Sequence, residues 1–208
     1  MIASLIQVLI VDDHPIFRQG LAQIIKLTEG MDVIAEAATG TEAIQLFRLH
    51  QPDVTLMDLR MPGMNGVEAI TAICQEFPDA CVAILSNYGT GEEIFRSLQA
   101  GARGYLLKST TSIDLIDAIR TVHAGQTYIP PTVGARLAER MCQPQLSDRE
   151  RDVLKLMAAG KTNQEIGLSL YIRESTVKFH INNIFSKLGA SDRTQAVLIA
   201  IKRGIAIL

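Results

Sequence analysis

Over the first 125 residues, five short apolar runs alternate with five segments of helical period, which leaves few folds open. The runs are Ile6 to Val11, Asp32 to Ala37, Val54 to Met57, Cys81 to Leu85 and Gly104 to Leu107. Between and after them lie Ile16 to Lys26, Thr41 to His50, Gly66 to Glu76, Glu92 to Ala100 and Ser112 to His123. Strands alternating with helices predict an α/β doubly wound parallel sheet of five strands. Pro15 just inside the first helix fits a proline at its first position, with His14 as N-cap.

The residues at the ends of these runs carry the chemistry. Asp12-Asp13 follow the first run, Asp58 the third and Lys108 the fifth. In a parallel α/β sheet such ends lie side by side at the edge where ligands bind. Three carboxylates and one amine should therefore converge into an acidic pocket suited to phosphoryl transfer. Any one of these carboxylates alone reads as solvated surface or a helix cap, but the set of four does not.

A Pro/Gly/Gln-containing stretch follows, from Gly125 to Gln145, with a short helical run at Val133 to Met141. Beyond it only helical patterns occur. Ser147 with Glu150, and Thr162 with Glu165, are spaced as capping boxes, in which hydroxyl and carboxylate satisfy each other's orphan amides. Gly160 and Gly189 follow helical runs as C-terminal caps, and Ser191 reads as the N-cap of a last helix, Asp192 to Arg203. The expected organisation is a first domain at 1–125, a linker at 126–145 and an all-α four-helix domain at 146–208.

Charge separates the two halves. Residues 1–125 hold 8 Lys+Arg against 15 Asp+Glu, net −7, and residues 126–208 hold 12 against 7, net +5, within a chain of net −2. This suits an acidic module that takes a cation and a second that meets polyanions. A hydrophobic content of 48% supports packed cores, yet no apolar run is long enough to span a bilayer. The stretch Leu5 to Val11 lacks the basic flank and small-residue cleavage site of a signal peptide and reads as a buried strand. Cys74, Cys81 and Cys142 have no CxxC spacing and fit reduced thiols, so a cytoplasmic location is expected.

Taken together, these motifs resemble the NarL/FixJ class of two-component response regulators, a receiver domain joined to a LuxR-type helix-turn-helix domain. The receiver pattern is matched by Val11-Asp12-Asp13-His14, Met57-Asp58-Leu59-Arg60-Met61-Pro62-Gly63-Met64-Asn65-Gly66, Ser86 and Tyr105-Leu106-Leu107-Lys108. The output pattern is matched by Leu146-Ser147-Asp148-Arg149-Glu150 and Glu174-Ser175-Thr176-Val177-Lys178-Phe179-His180. The resemblance implies a DNA-binding transcriptional regulator, phosphorylated on Asp58 by a sensor histidine kinase. Its further partners would be double-stranded DNA, RNA polymerase and a second copy of the chain, without membrane association. It also implies a switch in which Ser86 moves toward the phosphoryl group and the Tyr105 ring rotates inward. One departure stands out: Ser109 follows Lys108 where many receivers have proline.

The chemistry agrees with that resemblance. Mg²⁺ takes oxygen ligands in octahedral geometry and bridges one or two carboxylates to a phosphate. Asp13 and Asp58 suit direct ligation, Asp12 an outer position through water, and the backbone carbonyl of Arg60 completes the protein's share. Asp58 would be the nucleophile, with Lys108 neutralising charge and Ser86 reaching the phosphoryl oxygens from the end of its run. Aspartyl-phosphate phosphatases also use an Asp at a strand end, but their second acid two residues later is here Arg60. A regulator independent of phosphorylation, using the receiver for protein interactions only, is the alternative reading.

In the output domain, Val177, Ile181, Ile184 and Leu188 form one core-facing stripe. Ser175, Phe179, Asn182 and Ser186 fall opposite, flanked by Lys178 and Asn183. Facing a major groove, Phe179 would meet a thymine methyl, Asn182 adenine, and Lys178 guanine or phosphate. Phe179 packed on the linker or receiver is the alternative. Backbone phosphates would be met by Thr162, Ser175 and Thr176, with Lys161 and Lys187 nearby, and by Arg173, which stands where a capping serine is common. The last helix carries Ala196, Val197, Ile199, Ala200 and Ile201, more apolar surface than its own core should use, and is expected to supply a dimer contact.

Overall fold

The computed structural model of the chain describes residues 5–87, 89–142, 144, 146–202 and 205. Two compact units are present, Met1–Gly89 with Ile94–Arg136 and Thr90–Glu93 with Leu137–Leu208.

Along residues 5–123 the elements are β1 (Ile6–Val11), α1 (Pro15–Lys26), β2 (Met31–Ala37), α2 (Gly40–His50), β3 (Val54–Asp58), α3 (Gly66–Glu76), β4 (Val82–Ser86), α4 (Gly91–Gln99), β5 (Gly104–Leu107) and α5 (Ser112–His123). The five strands pair in parallel in the order β2-β1-β3-β4-β5, so the strand order reverses direction beside β1 and β3. This is the predicted doubly wound sheet. Val8, Ile10, Leu56, Ala83, Leu85 and Leu106 pack with Leu21, Ile25, Leu115 and Ile119 of α1 and α5. The alternate residues Leu9, Val11, Met57, Ile84 and Tyr105 are equally buried and point to the other face, as strand geometry requires.

Two strands run one residue further than the apolar pattern indicates, because their final residues are polar but buried: Asp58 closes β3 and Ser86 closes β4. Register then aligns the site. Val11 pairs with Met57, Asp58 with Leu85 and Ser86 with Leu107. The ladder continues past the strands, with Asp12 N–H donating to Ala37 O at 3.0 Å and Lys108 N–H to Ser86 O at 2.8 Å. Asp12, Asp58 and Lys108 thus leave the sheet at the same edge. Among the described residues no peptide bond is cis, so Lys108–Ser109 is trans.

The remaining helices are α6 (Pro131–Cys142), α7 (Asp148–Ala158), α8 (Asn163–Leu170), α9 (Glu174–Leu188) and α10 (Arg193–Lys202). α6 starts two residues earlier than expected, at a proline suited to a first helical position. Both predicted capping boxes form, at Ser147/Glu150 and Thr162/Glu165, and Gly189 caps α9 in the left-handed region at φ 66°. At α10 the cap belongs to Asp192, not Ser191: Asp192 Oδ1 accepts from Gln195 N–H at 2.8 Å, while Ser191 N–H and hydroxyl both bond Gln195 Oε1. The expected end of that helix at Arg203 lies outside the described residues.

Leu146, Val153, Leu154, Met157, Ile166, Val177, Ile181, Ile184 and Leu188 build the second core together with Ala196 and Ala200. More of the apolar surface of α10 than expected is thus used by its own core. Ala196 and Ala200 are fully buried and Val197 and Ile199 pack against the core, leaving Leu198, 53% exposed, as its outward apolar residue. Among the described residues, no helix is long and apolar enough to cross a membrane.

Candidate functional site

The last residue of β3 is the centre of the site. Asp58 is 4% exposed, and its Oδ2 accepts a hydrogen bond from Lys108 Nζ at 2.6 Å. The same ammonium stands 2.6 Å from Asp12 Oδ2, close enough for an ion pair although the angle is poor for a hydrogen bond. Asp58 Oδ1 accepts from the Arg60 backbone N–H at 3.2 Å. Asp12 is held in turn by His14 N–H on its Oδ1 at 2.8 Å and by Arg18 on its backbone carbonyl at 2.6 Å. Ser86 and Asn87 share the cleft with Asp58, Arg60 and His14.

Electrostatics follow from counting charges. Three carboxylates and one ammonium are crowded together, and Lys108 is held above its ordinary value: burial alone would lower it, but attraction to the Asp12 and Asp58 carboxylates outweighs that. Burial pushes the Asp58 carboxyl up, and Lys108 and Arg60 only partly reverse it. The two partners shift upward for different reasons: burial raises Asp58, and the two neighbouring carboxylates raise Lys108. Asp12 Oδ2 and Asp13 Oδ1 are also buried without a hydrogen-bond partner. A second cation is the natural remedy.

Gly66 makes room for this arrangement. A Cβ there would stand 2.2 Å from the Asp58 carbonyl oxygen, so the start of α3 reaches the acid only because the residue has no side chain. His14, at the N-cap of α1, does not cap with its ring, which instead places Nδ1 2.7 Å from Asp13 Oδ1 and 3.2 Å from Asp12 Oδ1. Tyr105 is fully buried, and its ring lies beside Gly89.

A different surface is presented by α9. Val177, Ile181, Ile184 and Leu188 are buried, whereas Ser175, Lys178, Phe179, Asn182 and Ser186 are exposed, Phe179 by 62%. The Phe179 ring meets His180 edge-on at 5.8 Å. Lys178 pairs with Glu174 one turn away at 2.8 Å. Arg173, exposed at the N-cap, makes no side-chain cap bond. Thr162 caps α8, and Lys161 Nζ donates to Ser169 Oγ at 3.0 Å. Lys187 is engaged elsewhere: its Nζ binds the buried Glu150 Oε2 at 2.7 Å.

Residues 8–120 match the response regulator receiver domain and residues 144–200 the LuxR family of bacterial regulatory proteins. The chain is a two-component response regulator of the LuxR/NarL family. It is 40% identical over 204 residues to the transcriptional regulatory protein LiaR of Bacillus subtilis, covering 94% of this chain and 97% of LiaR. It is 41% identical over 205 residues to the uncharacterized transcriptional regulatory protein YhcZ of that species, covering 94% and 95%. Among solved structures, Salmonella typhimurium RcsB aligns with TM-score 0.75 at 26% identity, over 93% of this chain and 98% of RcsB. A structure of two RcsB dimers bound to two parallel DNAs aligns with TM-score 0.73 at 25% identity, over 95% and 98%.

Within the response regulator, Asp12, Asp13, Asp58 and Lys108 come together as the strand ends indicated. His14 joins them unanticipated, placed by the turn after β1. Phe17 was also missed. Its ring lies 4.7 Å from Lys108 Nζ, although on sequence it is only another apolar residue of the first helix. Arg193 is a third: from α10 it bonds Lys161 O at 2.6 Å and Asn163 Oδ1 at 3.3 Å, tying down the turn before α8.

Proposed function

We propose that this response regulator accepts a phosphoryl group on Asp58 from a phosphohistidine of a sensor histidine kinase, and that the modification controls binding of its LuxR-type domain to double-stranded DNA. The observation that carries the reading is the buried Asp58 carboxylate held 2.6 Å from Lys108 Nζ, with Asp12 on the same ammonium. A carboxylate oxygen of Asp58 forms the new P–O bond as the P–N bond breaks, and the departing imidazole takes up a proton. Such a transition state needs alignment and charge neutralisation more than covalent help, and Lys108 stands where it would supply both. Ser86, in the same cleft, would donate its hydroxyl to a phosphoryl oxygen, and its movement would be read by Tyr105 on the adjacent strand.

The donor set fits Mg²⁺. The candidate ligand atoms of Asp12, Asp13, His14 and Asp58 lie within 4.8 Å of one another, and two of the carboxylate oxygens are buried without a hydrogen-bond partner. Asp13, Asp58 and the Arg60 carbonyl would hold the ion, with Asp12 acting through water. When bound, it supplies positive charge to the phosphoryl oxygens.

The proposed division is a receiver at 1–125, a linker at 126–145 and a DNA-binding domain at 146–208. Lys178, Phe179 and Asn182 would read base edges, while Lys161, Thr162, Arg173, Ser175 and Thr176 would meet phosphates. One short recognition helix gives little affinity alone, so phosphorylation would favour a homodimer on two half-sites, as RcsB binds DNA in dimers. The regulator would act in the cytoplasm, with RNA polymerase as a further partner. The test is labelling by acetyl phosphate with Mg²⁺: wild type should gain one acid-stable, base-labile phosphoryl group and Asp58→Asn none. Labelling that persists in Asp58→Asn would remove Asp58 as the acceptor.

A further inference from the structure

We propose that Phe17 is a positioning residue for phosphoryl transfer, its ring holding the Lys108 ammonium at the junction of Asp12 and Asp58. The inference rests on the reading of Asp58 as acceptor. A lysine ammonium has three N–H donors and no acceptor. One is donated to Asp58 Oδ2 at 2.6 Å, and Asp12 Oδ2 stands 2.6 Å from the same nitrogen as an ion-pair partner. The third side of the ammonium faces the Phe17 ring, whose centroid is 4.7 Å away. The Lys108 side chain is 7% exposed, so bulk water contributes little to this shell.

An aromatic face is an unusual choice with a purpose. A third carboxylate or carbonyl would bind the ammonium in a fixed direction and compete with an incoming phosphoryl group. The π-face attracts a cation without a directional acceptor, so the ammonium can move from the carboxylates to phosphoryl oxygens while remaining over the ring. Phe17 is itself fixed, because it packs against the core formed by α1, α5 and the sheet. An aliphatic side chain in its place would fill similar space but leave one buried N–H donor without a partner.

The test is the rate of Asp58 labelling by acetyl phosphate with Mg²⁺, measured for Phe17→Leu and Phe17→Tyr alongside wild type, each at a temperature where melting curves show it fully folded. Phe17→Leu should lower the maximal labelling rate about tenfold, with the half-saturating phosphodonor concentration nearly unchanged, and Phe17→Tyr should restore it. The Lys108 side-chain NMR signal should lose its ring-current shift in Phe17→Leu and keep it in Phe17→Tyr. In a Lys108→Ala background, Phe17→Leu should have no further effect on the residual rate. A wild-type rate in Phe17→Leu, or an equal loss with and without Lys108, overturns the role of Phe17. Absence of labelling in wild type instead overturns the acceptor reading on which it rests.

Discussion

Replacing Asp13 by Asn should make the receiver more stable in metal-free buffer and deaf to Mg²⁺. The ligand atoms of Asp13, Asp12 and Asp58 lie within 4.8 Å of one another. Two unit charges at that separation repel by about 3 kcal/mol at an effective dielectric of about 20. Asp13 meets two such neighbours, while the compensating ammonium makes its 2.6 Å contacts with the other two acids. Its side chain is 25% exposed, and water and salt reduce the sum severalfold. A net gain of about 1 to 2 kcal/mol remains, which raises the midpoint of a domain this size by several degrees. Asn has the same size and keeps an oxygen beside His14 Nδ1, so the local geometry should survive. Bound Mg²⁺ stabilises by mass action, by about 2.7 kcal/mol at a hundred times its dissociation constant. Scanning calorimetry in chelator and in saturating Mg²⁺ therefore gives a crossed result: the variant melts higher without metal, and only wild type rises with it. A variant that melts below wild type in chelator, or one with the same Mg²⁺ response, would refute the charge-crowding argument.

Asp58→Asn carries a pH signature. The folded carboxyl lies above its ordinary 3.8, so Asp58 contributes stability only in acid, and that contribution is lost as pH rises through the folded value. The variant should therefore be the more stable one at neutral pH, and urea melts should show the gap closing below 3.8; a gap independent of pH contradicts the sign. Lys187→Ala should cost the second unit about 2 to 3 kcal/mol by stranding buried Glu150, and should leave the salt slope of DNA binding unchanged. Glu150 lies below its ordinary 4.5 despite burial, because Lys187 and Ser147 bond it; the stability it gives is present above 4.5 and lost as pH falls through the folded value, so wild type alone should show that acid limb. Lys178→Ala and Asn182→Ala should each lose roughly 1 to 3 kcal/mol on a cognate site and relax specificity, whereas Lys161→Ala should weaken all sequences alike, as titrations on cognate and random duplexes will tell.

What could be read from sequence was what depends on period and on local backbone needs. The sheet followed from alternation, and the pocket from charged residues at the ends of apolar runs, because parallel strands bring like ends together. The capping boxes at Ser147 and Thr162 were readable because both partners lie within one turn. Features set by distant partners were not. Lys187 looks like a free cation until the fold brings Glu150 to it, and nothing local to Tyr105 shows that Gly89 lies against its ring. The apolar count on α10 was sound, but its division between core and surface depends on how α7 and α9 pack against it. Asp192 and Ser191 are both competent caps, and only the placement of Gln195 decides between them.

The pocket draws Asp12 from beyond β1, Asp58 from β3 and Lys108 from beyond β5, with β1 inserted between β2 and β3 in the interior of the sheet. A chain emerging from the ribosome therefore carries Asp58 long before it carries Lys108. The first strand must wait for the second and third before both its edges are paired, and the ammonium arrives only with the fifth. A nascent or truncated chain ending before Lys108 would hold these carboxylates without the ammonium that pairs with Asp12 and Asp58. On the proposed reading, competence for phosphoryl transfer would therefore come only when the last strand completes the sheet.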